Sequence, residues 1–96
     1  MLETIPPDDL ADAILATMPP PPYSVAVMDL CRDFHLPGGR ALVALLANRG
    51  VRPCQHNMRD GGGRSISISE RDWPLALALG RQYMNRQASA LASQNP

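Results

Sequence analysis

The sequence predicts a mainly α-helical domain carrying one small antiparallel β-hairpin. Two observations lead to that class. Apolar residues recur at three- and four-residue intervals through most of the chain, the spacing that lines one face of a helix. After Gly50 the interval drops to two, and two alternating stretches flank Gly61-Gly62-Gly63, as in a hairpin with a glycine tip. Ninety-six residues hold one core, so 1–96 reads as a single domain, with 1–7 and about 88–96 as flexible tails.

The first helix is expected over Pro7–Met18, where Leu10, Ile14 and Met18 form a stripe with Ala11 and Leu15 beside it. Asp8, Asp9 and Asp12 fall in its first turns, where the helix dipole favours acids. Pro19-Pro20-Pro21-Pro22 stops it and reads as a stiff connector. Ser24 is placed as the N-cap of a second helix, with Val25, Met28 and Cys31 on one side and Leu30 and Phe34 nearby. His35-Leu36-Pro37-Gly38-Gly39 breaks that helix. A third runs from Arg40 to Asn48 on Leu42, Leu45 and Leu46, and Gly50 sits where a left-handed residue would close it.

The hairpin is expected near 52–58 and 64–69. Centring its tip on Gly61 opposes Met58 to Arg64, His56 to Ile66 and Cys54 to Ile68, so that the apolar faces of both strands coincide. Pro53 is acceptable near the start of an edge strand. A last helix begins around Ser69–Pro74, either from a capping box at Ser69-Glu70-Arg71-Asp72 or with Trp73-Pro74 as its first turn. Its main stripe is Trp73, Leu77, Gly80, Tyr83 and Met84. Leu75 and Leu79 fall off that stripe, and a homodimer contact is expected there.

The formal net charge is zero, yet its distribution is uneven. Residues 1–33 carry a net −5, residues 34–69 a net +4, and the remainder +1. The middle third is therefore a basic block. All nine basic residues are arginine, which suits forked recognition of phosphate and guanine and also follows from GC-rich codons.

Other classes find little support. No apolar run approaches the roughly 20 residues of a membrane span. The acidic, proline-broken start is unlike a secretory signal, so a cytoplasmic location with reduced Cys31 and Cys54 is expected. Cys31-x-x-x-His35 and Cys54-x-His56 hold potential zinc ligands, but neither pair has the spacing of a knuckle or finger, and no metal or cofactor is expected. The triple glycine lies between strands rather than between a strand and a helix, so it is no phosphate-binding loop. No enzyme chemistry is expected.

The carrying stretch is Val27-Met28-Asp29-Leu30-Cys31-Arg32-Asp33-Phe34-His35-Leu36, followed by Pro37-Gly38-Gly39-Arg40-Ala41-Leu42-Val43-Ala44-Leu45-Leu46-Ala47-Asn48-Arg49-Gly50-Val51. With the hairpin and last helix, it resembles the winged helix-turn-helix domains of bacterial and phage regulators, over roughly residues 8–75. The resemblance implies a recognition helix at 38–49 and a wing tip at Arg59–Arg64. It also implies a regulator, such as a repressor, or an accessory factor acting on double-stranded DNA. The residues so assigned are Gly39, Arg40, Val43, Ala44, Asn48, Arg52, Arg59 and Arg64. Arg40 would fork onto guanine, Asn48 onto adenine, and the small apolar residues would touch thymine methyls. The paired glycines would bring backbone close to phosphate. The face is smaller and more apolar than in most such helices. That opens the alternative of a winged-helix module, an adaptor or inhibitor, that docks on a protein without binding DNA.

Overall fold

A computed structural model describes residues 6–57 and 63–94. In chain order the elements are α1 (Pro7–Thr17), β1 (Val25–Ala26), α2 (Val27–Asp33), α3 (Gly39–Asn48), β2 (Cys54–Asn57), β3 (Arg64–Ser67) and α4 (Trp73–Gln94). The class is the expected one, mainly helical with a small antiparallel sheet. The sheet has three strands rather than two, in the order β1-β3-β2.

α1 and α4 lie side by side in opposite directions. Arg86 reaches Asp9 and Asp12 at one end of the pair. Gly80 meets α1 near its other end. A Cβ added there would lie 2.9 Å from the Ala16 Cα and 3.0 Å from its nitrogen, so only glycine admits this approach. Ala11, Ile14, Leu15 and Met18 of α1 join Leu42 and Leu46 of α3, Val51, Ile66, Ile68, Ala76 and Leu79 in one core. The apolar spacings of α1 and α3 therefore point inward as expected. Asp12 is buried with them, and its charge is matched rather than solvated. It accepts from Arg49 Nε at 3.0 Å and from an Arg49 terminal nitrogen at 3.3 Å, while Arg86 donates at 3.2 Å.

α2 and α3 end in the same way. After α3, Gly50 donates to the Ala47 carbonyl at 2.9 Å and Val51 to the Leu46 carbonyl at 3.0 Å, closing the last turn with Gly50 at φ 84°. Val51 and Leu46 are both fully buried and supply the apolar contact that accompanies this cap. After α2, Leu36 donates to the Cys31 carbonyl at 2.8 Å and His35 to the Arg32 carbonyl at 3.4 Å. Here the left-handed position is held by His35 at φ 57°, a conformation that glycine adopts more cheaply.

Three expectations need correction. Ser24 caps no helix: Val25 and Ala26 form β1, pairing with Ile66 and Ser65, and Ala26 precedes α2. The hairpin register is shifted by one residue. Cys54 opposes Ser67, Gln55 opposes Ile66, His56 opposes Ser65 and Asn57 opposes Arg64. A one-residue shift exchanges the faces of a strand, so His56 lies opposite a serine and is exposed. β2 is an edge strand exposed along its length. β3, flanked on both sides, buries Ser65, Ile66 and Ser67, and Ile68 directly beyond it is buried too. Leu79 is a core residue, so the dimer contact expected at Leu75 and Leu79 lacks one of its two leucines. Leu75 itself is 3.3 Å from the point where a Gly50 Cβ would lie, and so covers the α3 cap.

Finally, the two readings of the start of α4 are both partly realised. Ser69 Oγ accepts from the Asp72 amide at 3.2 Å, one half of a capping box. The Asp72 carboxylate instead accepts the Arg52 amide at 3.2 Å. The α-helix itself begins at Trp73, with Pro74 in its first turn, where a missing N–H costs nothing.

Candidate nucleic-acid interface

Burying Leu42 and Leu46 fixes the opposite side of α3 outward, because residues three and four apart share a helix face. That outer side carries Arg40, Ala44, Ala47 and Asn48, all exposed, with Val43 half-buried at its margin. It forms one wall of a solvent-open groove of about 620 Å³. Gly39, Arg40, Val43 and Ala44 line it from α3, Val27 and Met28 from the start of α2, and Gln55 and Arg64 from the hairpin. The hairpin closes toward α2 at this point: the Met28 sulfur is 3.9 Å from where a Gly63 Cβ would lie.

Gly39 serves packing in this arrangement. A Cβ there would come within 3.1 Å of Val27 Cγ1, so the glycine lets α2 and α3 meet closely. Gly38 is extended at φ 171° with open space around it.

Five of the eight sequence-chosen residues thus line a single groove: Gly39, Arg40, Val43, Ala44 and Arg64. Asn48 is exposed at the end of α3, outside that lining. Arg52 lines a separate polar recess with Gly50, Ser69, Arg71 and Asp72. Arg59 lies outside the described residues. Val27, Met28 and Gln55 were missed. Met28 sits at helical spacing from Cys31 and so reads as core, yet it is 70% exposed. Gln55 shares the groove side of the hairpin with Arg64, whose Nη1 donates to the Gln55 Oε1 at 3.3 Å.

The arginines divide into two sets. Arg49 is bound to Asp12 and lies 3.7 Å from Asp8, while Arg86 joins Asp9 and Asp12. The hydrogen bond that Arg49 donates to Asp12 raises the Arg49 pKa above its ordinary value, against the desolvation that lowers it. Arg49 therefore belongs to the α1 side of the molecule, and the basic block loses one member to structure. Arg32 pairs with Asp29 at 3.2 Å and Asp33 at 3.6 Å, so both acids of α2 are engaged, and neither lines the groove. Among the described residues, Arg40 and Arg64 have no ion pair, and the groove lining contains no carboxylate.

Among the described residues no three His, Cys, Asp or Glu side chains gather into a metal site. His56 Nε2 lies 3.0 Å from Ser67 Oγ, and burial pushes the Cys31 thiol pKa up. No described helix is long and apolar enough to cross a membrane. No family model, curated protein or solved structure matches the chain.

Proposed function

We propose that this chain is a winged helix-turn-helix domain that binds double-stranded DNA as a cytoplasmic transcription regulator or accessory factor. The observation that carries the reading is the shared groove. The outer face of α3 and the hairpin meet there, and among the described residues its two charged members are arginines with no ion-pair partner. The element order supports it as well: a helix pair ending in α3, then a hairpin, with β1 closing the sheet. α3 has 10 residues, about 15 Å of helix, and a major groove about 12 Å wide admits it end-on or along its length. Arg40, in the first turn of α3, is the candidate for guanine, and Val43 and Ala44 suit thymine methyls. Arg64, at the tip end of β3, is the candidate for phosphate, and Arg59 is assigned the same role from the sequence.

Binding to random and selected duplexes across a salt series tests this. Arg64→Ala and Arg59→Ala should weaken binding to all duplexes alike and reduce the slope of log affinity against log salt by about one per lost phosphate contact. Arg40→Ala should cost roughly 1–3 kcal/mol at the preferred site and relax preference at one base position. Exposed arginines contribute little to folding, so stability should hardly change.

A second reading has an observation of its own. Val27, Met28, Val43 and Ala44 make much of the groove apolar, and Met28 is largely exposed. A protein ligand would use that surface. Wild-type chain with no salt-sensitive DNA binding would discard the DNA reading in favour of this one.

A further inference from the structure

We infer that the outward seam of α4 pairs with the same seam of a second copy of this chain, in antiparallel orientation. Leu77, Met84 and Leu91 recur every seven residues and so lie along one side of the helix. Met84 is 57% and Leu91 63% exposed, an unusual amount of apolar surface on one helix of a small domain. From its Leu77 end to Met84 the seam runs along a groove of about 360 Å³ between α1 and α4, lined by Leu15, Met18, Trp73, Leu77, Arg81 and Met84 among others. At the other end Leu91 is left largely exposed by the described residues.

These two ends complement each other. Leu77 and Leu91 each lie about 10.5 Å along the axis from Met84, at 1.5 Å per residue. A two-fold axis beside Met84 therefore carries the second copy's Leu91 to the level of the Leu77 groove, and the reverse contact forms at the same time. Charge selects the direction. Arg81 and Arg86 are the charged residues of α4, and Arg86 is turned to Asp9 and Asp12 of α1. A parallel pairing would stack Arg81 on its own copy, whereas the antiparallel one places it near the uncharged Gln87. A helix of 22 residues, about 33 Å long and 10 Å across, offers on the order of 300–400 Å² per copy. That is roughly half of a standard interface, so the dimer is a weak one that forms as concentration rises.

This inference does not depend on DNA binding, and its test contains no DNA. Sedimentation equilibrium of the full chain, up to a few hundred micromolar, should give a mass rising toward twice the 10.4 kDa of one copy. Leu91→Glu and Met84→Glu should each weaken association at least tenfold with unchanged helical circular dichroism. Leu75→Glu, at a residue that covers Gly50, should leave association unaffected. Direction is read from disulfides in a Cys54→Ser background. Met84→Cys should cross-link readily near the axis. Leu91→Cys should not, because the two copies of that residue lie about 21 Å apart, beyond the reach of a disulfide. A wild-type mass of one copy throughout, persistent dimer in Leu91→Glu, or efficient cross-linking through Leu91→Cys would each overturn the inference.

Discussion

Replacing Asp12 with alanine should remove a sizeable part of the stability of the fold. Asp12 is 1% exposed and accepts a forked pair of hydrogen bonds from Arg49, whose side chain is 27% exposed. Charge-assisted bonds of this kind contribute about 1.5–3 kcal/mol. Arg49 keeps a weaker partner in Asp8 at 3.7 Å and some access to water, so the loss stays below the 3–5 kcal/mol typical of a fully buried pair. Arg86 is 47% exposed, and its bond to Asp12 adds less than about 1 kcal/mol. The expected total is about 2–3 kcal/mol, against roughly 5–14 kcal/mol for a domain of this length. The measurement is urea unfolding at one fixed protein concentration, followed by far-ultraviolet circular dichroism and Trp73 fluorescence. A double-mutant cycle then separates the partners: Asp12 with Arg49 should couple by about 1–2 kcal/mol, and Asp12 with Arg86 by about 0.5 or less. A cost below about 0.5 kcal/mol for Asp12→Ala, or equal coupling to both arginines, would refute the reasoning.

Other perturbations follow from the same geometry. Gly80→Ala gains about 1 kcal/mol of helix propensity, but it drives a Cβ into the Ala16 backbone, so a net loss of about 1–3 kcal/mol is expected in the same unfolding assay. His35→Gly relieves a left-handed non-glycine residue and should stabilise by about 0.5–1 kcal/mol. An aromatic disulfide reagent should label exposed Cys54 quickly and half-buried Cys31 slowly. Because burial raises the Cys31 pKa, its thiolate, and with it the labelling rate, should become abundant only at a pH above the ordinary cysteine range.

The helices were legible because their apolar spacings coincide with the faces that the core buries, as Ile14 with Leu15 and Leu42 with Leu46 show. β1 was not legible. Val25 and Met28 are three apart and imitate a helical turn, while the strand is decided by pairing with Ile66, 41 residues later. The register failed for a related reason. Alternation in Cys54, His56 and Met58 was assigned a buried face, but β2 is an exposed edge, and its alternation carries no packing information. Leu79 was misplaced because Trp73 and Leu77 set the expected stripe. α4 buries the line through Ala76, Leu79 and Gly80 and leaves those two half-exposed. The groove was half legible: the spacing of α3 fixes its outer face, whereas Met28 and Gln55 join it only through the meeting of α2 and the hairpin. The partnership of Asp12 with Arg49 spans 37 residues, and no local pattern announces it.

The pairing of α1 with α4 also sets a timetable for synthesis. Asp12 and Arg86 are 74 residues apart, so at 5–20 residues per second a ribosome needs roughly 4–15 s to travel from one to the other. For that interval the Ile14 and Leu15 side of α1 is outside or leaving the ribosome with no α4 to cover it. Helix formation takes microseconds, so the delay is set by translation and not by the search for structure. The core face of α1 can therefore reach its native packing only once α4 has left the ribosome. Stalling the ribosome before Trp73 should leave a protease-sensitive chain, while stalling it with all of α4 outside the exit tunnel should yield a protected one.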